Sequence, residues 1–463
     1  MSTIEVTSPF DGKVVGTVPF SSYEQVESAI DLAHKTYLDT ANWLPKYKRI
    51  EILENVMKIM SSRVEELTIL CASEGGKPYI DSQVEIHRAI NGIKIAIEHL
   101  GAYEGKEVAM GHTASSANRM AYTFKEPIGV VAAISAFNHP FNLAVHQVIP
   151  ALAVGCPVII RPATQTPMSA IELIKILEEA GLPKGWAQAI VCDRKGGELL
   201  ATSPKTAFLT FIGSGPVGWY LNSKVSPGTR VALEHGGVAP VIVEADADID
   251  DMIPALAKGG FYHAGQVCVS VQRVFVHESI CDEVATKLTA AAKKLIVGDQ
   301  LDPKTEVGPL INNDEVNRVE EWVNEAVTKG ATILTGGKRI SASCYEPTVI
   351  LNAPDDAIVS QKEVFGPVVC IYSYKTLDEA ISRANQLDVS FQAAVFTKNI
   401  DTALKTVKRL NATAVMVNDH TAFRVDWMPF GGARVSGLGM GGIPYSMEEM
   451  SNSKMMVIKS PSL

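Results

Sequence analysis

The fold class is decided by three apolar segments: 129-GVVAAIS-135, 157-PVIIRP-162 and 189-AIVC-192. Each is a short run of the length expected for a strand that is buried on both faces. The stretches between them, 141–155 and 167–181, have the apolar spacing of helices. Strands that alternate with helices in this way are typical of a doubly wound parallel sheet, so the sequence predicts an α/β fold.

The same alternation returns further along the chain. It starts again at 241-VIVEADADI-249 and continues through later strands such as 271-VQRVFVHE-278. Upstream of the first sheet, 24–40, 46–73 and 79–104 have helical spacing. The polar stretch 112–118 is compatible with a turn between two strands. We therefore expect two α/β domains, with the chain crossing from one to the other near 235–240.

Composition excludes several classes of protein. The chain has 463 residues, of which 46% are hydrophobic and 20% charged, as in ordinary globular proteins. A net charge of −9 does not favour nucleic acid or an anionic membrane surface as a partner. The N-terminus lacks a basic region followed by an apolar run, and the longest apolar stretch, 148–160, is too short to span a bilayer. We expect a cytoplasmic protein.

The chain has seven cysteines, an odd number, and none of them forms a CxxC pair. This pattern argues against a disulfide framework and against a zinc site. No metal is therefore expected. Most such thiols are reduced and buried. Cys268 differs because it follows a Gly-Gln turn, where backbone N–H groups can lower the pKa of a thiol. Glu234, in 231-VALEHGG-237, could serve as the base that activates water against an acyl-thioester. Taken alone, an inert thiol and a solvated glutamate are the more frequent outcomes.

A glycine-rich turn, 213-GSGPVG-218, follows a strand and opens a helix. Such a turn can bring phosphate groups to backbone N–H groups and to the positive end of the helix dipole. Taken alone the match is weak, because the acid expected about twenty residues later is present only as Glu234. A purely structural turn remains an equal alternative at this point.

Four further motifs occur in a recognisable order: 233-LEHGG-237, 265-GQVC-268, 363-EVFGPV-368 and 429-PFGG-432. Together they resemble the aldehyde dehydrogenase family, and the resemblance extends from 8-SPFDGKVVGTVP-19 to 448-EEMSNSK-454. It implies an aldehyde dehydrogenase-like α/β fold with two doubly wound Rossmann-like domains and a small β oligomerisation element. The NAD(P)-binding domain would span 1–107 and 128–235, and the catalytic domain 236–445. The oligomerisation hairpin and tail would be 108–127 and 446–463, in a homodimer or homotetramer.

The resemblance also implies roles for individual residues. Cys268 resembles the nucleophile that forms a thiohemiacetal and then an acyl-thioester, and Glu234 the base that hydrolyses it. Asn138 resembles the side-chain amide of the oxyanion hole, which stabilises the charge formed next to the sulfur. The cofactor would be NAD or NADP, with NAD slightly favoured. The implied cofactor-binding residues are Arg161, Thr164, Gly213, Ser214, Glu363 and Phe365.

Three positions depart from the family pattern. Thr164 stands where members that prefer NAD often carry a glutamate, so with Arg161 nearby NADP remains possible. Gln147 replaces a common lysine, which weakens any proton relay from that position. His139 follows Asn138 at a position that usually carries an aromatic residue in the substrate tunnel.

The resemblance places four basic side chains on the same tunnel: Arg88, His139, His146 and Arg424. Each alone is more often a core or surface residue, but together they favour an anion, because arginine presents a planar fork of donors. We therefore expect a small anionic aldehyde, with sulfoacetaldehyde or sulfolactaldehyde favoured. Phosphonoacetaldehyde, lactaldehyde and glyceraldehyde 3-phosphate (without phosphorylation) are alternatives. A CoA-acylating enzyme and a non-catalytic binding protein are the other classes that we consider.

Overall fold

The computed structural model describes residues 2–463 of the chain, and it confirms the α/β class. Residues up to 234 form strands β1–β9 and helices α1–α8. The strands are β1 (Ser2–Thr7), β2 (Val14–Phe20), β3 (Glu107–Val108), β4 (Arg119–Pro127), β5 (Val130–Ile134), β6 (Val158–Arg161), β7 (Ala187–Ala189), β8 (Thr206–Ile212) and β9 (Arg230–Glu234). The helices are α1 (Tyr23–Leu38), α2 (Lys46–Ser62), α3 (Val64–Gly75), α4 (Tyr79–Ala102), α5 (Pro140–Val154), α6 (Met168–Glu179), α7 (Arg194–Thr202) and α8 (Gly215–Asn222).

The rest of the chain builds a second sheet and then returns to the first. The strands are β10 (Pro240–Val243), β11 (Arg273–His277), β12 (Thr332–Thr335), β13 (Thr348–Leu351), β14 (Val368–Tyr374), β15 (Val389–Ser390), β16 (Gln392–Phe396), β17 (Ala414–Val417), β18 (Ala433–Arg434), β19 (Gly437–Leu438) and β20 (Ser451–Lys459). The helices are α9 (Ile249–Phe261), α10 (Cys281–Ala292), α11 (Asn313–Thr328), α12 (Ile358–Gln361), α13 (Leu377–Ala384), α14 (Ile400–Arg409) and α15 (Ile443–Glu449).

Two separate sheets carry the fold. The first has six strands in the order β19-β9-β8-β5-β6-β7, and the second has seven in the order β12-β13-β14-β11-β10-β16-β17. In each, all neighbours are parallel except one edge strand, β19 or β12. Strand β5 shows why the segment 129–135, from which the first sheet was predicted, is apolar throughout. Val131 and Ala133 enter one hydrophobic core, whereas Val130 and Ala132 enter the core on the opposite face.

The chain crosses from β9 to β10, within the region expected from the sequence. The chain also returns to the first sheet earlier than the expected domain boundary at residue 445. Strand β19 pairs with β9, and Ile443 and Met447 of α15 lie in the core of the first sheet. Residues 437–449 therefore pack with the first sheet, although the sequence assigned 236–445 to the second domain.

A third, three-stranded sheet has the order β20-β4-β3. Strand β20 pairs antiparallel with β4 along its whole length, from Ser451 opposite Pro127 to Lys459 opposite Arg119. The polar stretch between β3 and β4 forms a short 3-10 turn at Ala114–Ser116. Across residues 2–463, no helix is long and apolar enough to cross a membrane.

Helix α5 begins next to the candidate site, and a buried glutamate holds its first turn. Glu85 of α4 accepts hydrogen bonds from the backbone N–H groups of Phe141 (2.9 Å) and Asn142 (2.8 Å). Lys77 forms an ion pair with the same carboxylate, and both side chains are buried. Because these groups satisfy the free N–H groups of the helix start, the segment just before α5 is fixed in place.

Candidate active site

A cavity of about 980 Å³ lies between the two large sheets. On the side of the first sheet, its wall is built where β5, β6, β8 and β9 end, the edge at which parallel sheets bind ligands. Twelve of the thirteen candidate residues from the sequence line it. They are Arg88, Asn138, His139, Arg161, Thr164, Gly213, Ser214, Glu234, Cys268, Glu363, Phe365 and Arg424.

Cys268 is the one half-exposed thiol of the seven; the other six are buried. It follows a strained loop in which His263, Ala264 and Gly265 have φ values of 50°, 52° and 70°. For residues other than glycine this left-handed conformation is uncommon and is often found at functional sites. Access and strain thus distinguish Cys268 from the remaining cysteines.

Gln266 stabilises this strained loop from inside the protein. Its side-chain amide donates to the carbonyl groups of His263 (3.3 Å) and Pro309 (3.2 Å) and accepts from the N–H of Ile311 (2.9 Å). Gln266 is completely buried. The three hydrogen bonds connect the loop that carries Cys268 to the chain ahead of α11.

Asn138 lies beside the same loop. One N–H of its amide donates to the carbonyl oxygen of Gln266 at 2.9 Å. Because an amide nitrogen carries two hydrogens, the second remains available for a ligand. The position before α5 and the bond to the nucleophile loop orient this donor beside Cys268.

Glu234 ends β9 and lines the same cavity. Its carboxylate lies against Gly441, where an added Cβ would come within 2.2 Å of Oε1. Burial raises the pKa of Glu234, and the charge of Arg424 acts in the opposite sense. Burial, followed by the charge of Glu363, also raises the pKa of Cys268 well above its ordinary value, and the backbone N–H contribution expected from the sequence to lower it is outweighed. The site therefore holds a protonated thiol near a carboxyl group that binds protons more strongly than usual.

Glu363 and Phe365 form another part of the wall. The Glu363 carboxylate lies over Gly236, where an added Cβ would be 1.9 Å from Oε1, and Oε1 has no hydrogen-bond partner. Burial raises the pKa of Glu363 to about 8, although Arg318 acts against this shift. Phe365 contacts Phe137 edge to face, with ring centroids 5.8 Å apart. The unpartnered oxygen of Glu363 and the ring of Phe365 line the same cavity. Together they suit a ligand that combines a flat aromatic ring with the hydroxyl groups of a ribose.

The glycine-rich turn rests on a residue that sequence reasoning did not select. His235 Nδ1 lies 2.9 Å from the carbonyl oxygen of Gly213, and the imidazole packs under Gly218, where an added Cβ would be 2.1 Å from its Cε1. Ser214 precedes α8, so the turn presents the N-terminus of that helix to the cavity. The only sequence signal was that His235 directly follows Glu234.

The far end of the cofactor side is basic. Arg161 donates to the carbonyl of Cys192 at 3.1 Å, and its Nε has no partner. Thr164 and Arg194 line the same region. The Glu198 carboxylate, also on the wall, accepts from the Tyr220 hydroxyl at 2.9 Å. Arg194 and Glu198 were not selected from the sequence because α7 shows no pattern that marks them.

The other end of the cavity, which we call the distal end, consists of Arg88, Asn142, His146, Arg424 and Asp426. Arg88 donates two hydrogen bonds to Asp426, from Nη2 (2.7 Å) and Nε (3.2 Å). His146 lies 2.8 Å from the same carboxylate and 3.3 Å from Nη2 of Arg424. Arg424 stacks on the ring of Phe430 at 3.5 Å. Asp426, absent from the candidate residues, is the centre of this cluster.

His146 requires a correction. The sequence analysis placed it on the tunnel wall, but it lies behind Arg424 and Asp426 and does not line the cavity. Burial and the neighbouring Arg424 lower the pKa of His146 to about 4, despite its bond to Asp426. It is therefore neutral at pH 7, so that one ring nitrogen donates and the other accepts.

His139 does line the cavity, but it adds no positive charge. Its ring lies 6.4 Å from that of Tyr262 and 6.0 Å from that of His263. Burial, and then the charge of Lys77, hold its pKa well below the ordinary value. Among the four basic residues expected at the tunnel, the charge therefore comes from the two arginines.

Gln147, the second departure from the family pattern, is a structural residue. Its amide nitrogen donates to the carbonyl groups of Ile134 (3.2 Å) and Thr210 (3.1 Å). It thus connects α5 to the ends of β5 and β8, away from the reacting groups.

A thiol in a cavity between two α/β sheets, with an amide and a carboxylate facing it, defines an oxidoreductase of the aldehyde dehydrogenase type. A model described as "Aldehyde dehydrogenase family" matches residues 1–456. The chain belongs to that family, as its motifs indicated, and it is an aldehyde oxidoreductase.

Several relatives cover almost the whole chain. It is 39% identical over 456 residues to a 3-sulfolactaldehyde dehydrogenase of Priestia megaterium, which covers 98% of this chain and 94% of the relative. It is 38% identical over 460 residues to a lactaldehyde dehydrogenase of Methanocaldococcus jannaschii, covering 98% and 97%. Among solved structures, the glyceraldehyde-3-phosphate dehydrogenase GapN of Methanocaldococcus jannaschii, complexed with NADP, superposes with a TM-score of 0.94 at 36% identity over 99% of both chains.

Proposed function

We propose that this protein oxidises a small anionic aldehyde to its carboxylic acid with NAD or NADP, and that sulfolactaldehyde or sulfoacetaldehyde is the preferred substrate. The observation that carries the proposal is Arg424, a cation on the cavity wall near Cys268. Among the described residues its guanidinium forms no ion pair, and its Nε has no hydrogen-bond partner. A buried cation without an ionic partner is costly unless a ligand supplies the opposite charge.

The chemistry at the sulfur follows from the neighbours of Cys268. Once the thiol proton has passed to solvent, the Cys268 thiolate attacks the aldehyde carbon, and the oxyanion of the thiohemiacetal accepts hydrogen bonds from the free N–H of Asn138 and the backbone N–H of Cys268. A nicotinamide held by Glu363 and Phe365 would supply the hydride acceptor that converts the thiohemiacetal to the acyl-thioester. Glu234 then removes a proton from a water molecule, which attacks the thioester and releases the acid and the Cys268 thiol.

The cofactor assignment rests on three groups of residues. Glu363 would hold the nicotinamide ribose, and Phe365 would lie beside the ring. Gly213 and Ser214 would hold the pyrophosphate at the N-terminus of α8. At the adenosine end, Arg161 favours a phosphate and Thr164 carries no charge that would repel one. These residues accept either dinucleotide, and a related GapN is known in complex with NADP.

The charge of the distal end favours a sulfonate. Arg88 is paired with Asp426, so Arg424 alone is available to a substrate. A monoanionic group matches a single free cation better than a dianionic phosphate or phosphonate. The similarity to a 3-sulfolactaldehyde dehydrogenase supports the same choice.

Steady-state kinetics with sulfolactaldehyde, sulfoacetaldehyde, phosphonoacetaldehyde, glyceraldehyde 3-phosphate and neutral lactaldehyde, each with NAD and NADP, tests this proposal. Arg424→Met should lower kcat/KM for the sulfonated aldehydes about 30-fold, since a charge-assisted contact contributes roughly 2 kcal/mol, and should change kcat/KM for lactaldehyde less than about threefold. Arg409→Met, at an exposed ion pair with Asp378, is the matched control. Preference for lactaldehyde that survives in Arg424→Met would overturn the proposal.

Two other classes give different products. A CoA-acylating enzyme would release a thioester, but Glu234 is positioned to activate water, which favours the free acid. Product analysis with and without CoA separates the two. A non-catalytic relative would bind the dinucleotide and form no NAD(P)H with any of the five aldehydes.

We further propose that the chain assembles as a homodimer or homotetramer in the cytoplasm, with 1–107 and 128–235 as the dinucleotide domain, 236–445 as the catalytic domain, and 108–127 and 446–463 as the assembly element. Residues 437–449, which pack with the first sheet, are the exception to these bounds. Strand β20 supports the assembly, because Met455, Met456, Val457 and Ile458 are all exposed on it. Such an apolar edge is usually covered. Light scattering after size exclusion measures the number of subunits, and a stable monomer would exclude the proposal.

A further inference from the structure

Asp426 is the carboxylate of the distal end, and the side chains of Arg88, Asn142 and His146 all bond to it. It is almost fully buried, and its oxygens receive two hydrogen bonds from Arg88, one from His146 at 2.8 Å and a longer one from Asn142 at 3.4 Å. Two residues earlier, the same loop presents Arg424 to the cavity. Asp426 itself does not line the cavity, so it acts on a ligand only through its neighbours.

These contacts determine the charge of the distal end. His146 donates from Nε2 to Asp426 and accepts at Nδ1 from Arg424, an arrangement that requires the neutral imidazole. The charges of Arg88 and Asp426 cancel, because the two side chains form a bidentate ion pair. Arg88, Asp426 and Arg424 together therefore carry one net positive charge.

We propose that Asp426 is a specificity-determining residue, which makes the enzyme select aldehydes with a singly charged distal group over those with a doubly charged one. This inference rests on the proposed oxidation of an anionic aldehyde. A sulfonate matches the charge of Arg424, whereas the second charge of a phosphonate or phosphate would be desolvated without a free cation and would lie near the Asp426 carboxylate. Unpaired buried charge of this kind is a recurrent source of discrimination between ligands.

The test is a double-mutant cycle on Asp426 and Arg88. Asp426→Asn keeps the shape and most hydrogen bonds but raises the net charge of the distal end by one, so Arg88 becomes available to a ligand. The ratio of kcat/KM for phosphonoacetaldehyde to that for sulfoacetaldehyde, measured at a pH where the phosphonate is dianionic, should rise about tenfold or more. The double variant Arg88→Met with Asp426→Asn returns the charge to its original value, and the ratio should return to within about threefold of the wild type.

An unchanged ratio in folded Asp426→Asn overturns the inference, as does an increase that persists in the double variant. The proposed function is tested separately by Arg424→Met. If only the role of Asp426 is wrong, Arg424→Met still removes the preference for anionic aldehydes over lactaldehyde.

A measurement on the wild-type enzyme covers the case in which Asp426→Asn does not fold. Competitive inhibition by ethylphosphonate should weaken as the pH rises and its second proton is lost, relative to inhibition by ethanesulfonate, whose charge does not change. Taking the ratio of the two inhibition constants cancels the ionisation of the enzyme's own groups, including Glu234. A ratio that stays constant, or moves in favour of the dianion, overturns the inference.

Discussion

The two ends of the substrate cavity are built from the same kinds of side chains but in opposite ways. At the reacting end, the carboxylates of Glu234 and Glu363 form no ion pair within residues 2–463, and burial raises the pKa of both. At the distal end, hydrogen bonds from His146 and the charge of Arg88 outweigh burial and hold the pKa of Asp426 well below its ordinary value.

The difference separates chemistry from recognition. The carboxylates at the reacting end are left without ionic partners among the described residues, so burial shifts them towards the protonated form. Groups that recognise a substrate are held by several partners, so their charge and direction stay constant. The predictions below test this contrast, beginning with the largest effect.

Replacing the nucleophile should have the largest effect. Cys268→Ser is expected to lower kcat for aldehyde oxidation on the order of 10⁴-fold or more, because an alcohol lacks the nucleophilicity of a thiolate. NAD(P)H formation followed by absorbance measures it. Cys281→Ala, a buried thiol outside the cavity, should remain close to wild type. In native protein, iodoacetamide should label Cys268 first, and equal labelling of a buried cysteine would contradict the assignment.

Removing the base should slow a different step. Glu234→Gln is expected to lower steady-state turnover about 10²- to 10³-fold, within the range for general-base catalysis. The first turnover should remain, because acylation of Cys268 precedes the step that needs Glu234. Stopped-flow measurement should then show a burst of about one NAD(P)H per active site. Absence of the burst would place Glu234 before hydride transfer, and Glu98→Gln on the exposed face of α4 serves as the control.

At the distal end, changes should affect binding more than turnover. His146→Leu removes the acceptor that orients Arg424, and we expect KM for the sulfonated aldehyde to rise about five- to tenfold, as for the loss of one buried hydrogen bond. Its kcat should change less than about twofold. His146→Gln can donate to Asp426 and accept from Arg424, so it should restore most of the affinity. Equal damage in both variants would indicate a packing role instead.

The smallest effect concerns pH and stability. The folded protein binds the Glu363 proton more tightly than the unfolded chain, because burial raises the pKa from 4.5 to about 8. The stability that this group contributes is fully present below pH 4.5 and is lost as the pH rises through about 8. Without cofactor, Tm should fall by about 1–3 °C more in the wild type than in Glu363→Gln between about pH 6 and pH 9. If Tm falls with pH by the same amount in the two proteins, the raised pKa of Glu363 is contradicted.

The sequence predicted the fold, and it selected residues that the structure brings together at the reacting end, because both depend on local patterns. Buried strands such as β5 are apolar throughout, and the motifs around Glu234, Cys268 and Glu363 lie within short segments. The predicted position of Asn138 also agrees with the cavity, although its role and those of Cys268 and Glu234 remain predictions for the kinetics above.

The distal end could not be predicted in the same way. Arg88 and Asp426 are 338 residues apart in the chain, so neither position reveals the pair. The error at His146 has another cause. All residues of α5 are buried, and a helix that is apolar on every side shows no periodicity from which the face turned to the cavity could be identified.

Strand β19 has a consequence for how the protein is made. Because β9 is covered by a strand from residues 437–438, and α5 by a helix that ends at Glu449, the first sheet remains incomplete until the chain as far as Glu449 has left the ribosome. Domains that are continuous in sequence can fold in order during synthesis. Here the strand that ends in Glu234 keeps an unpaired edge until residues 437–438 have been made, and an unpaired edge is open to pairing with other chains.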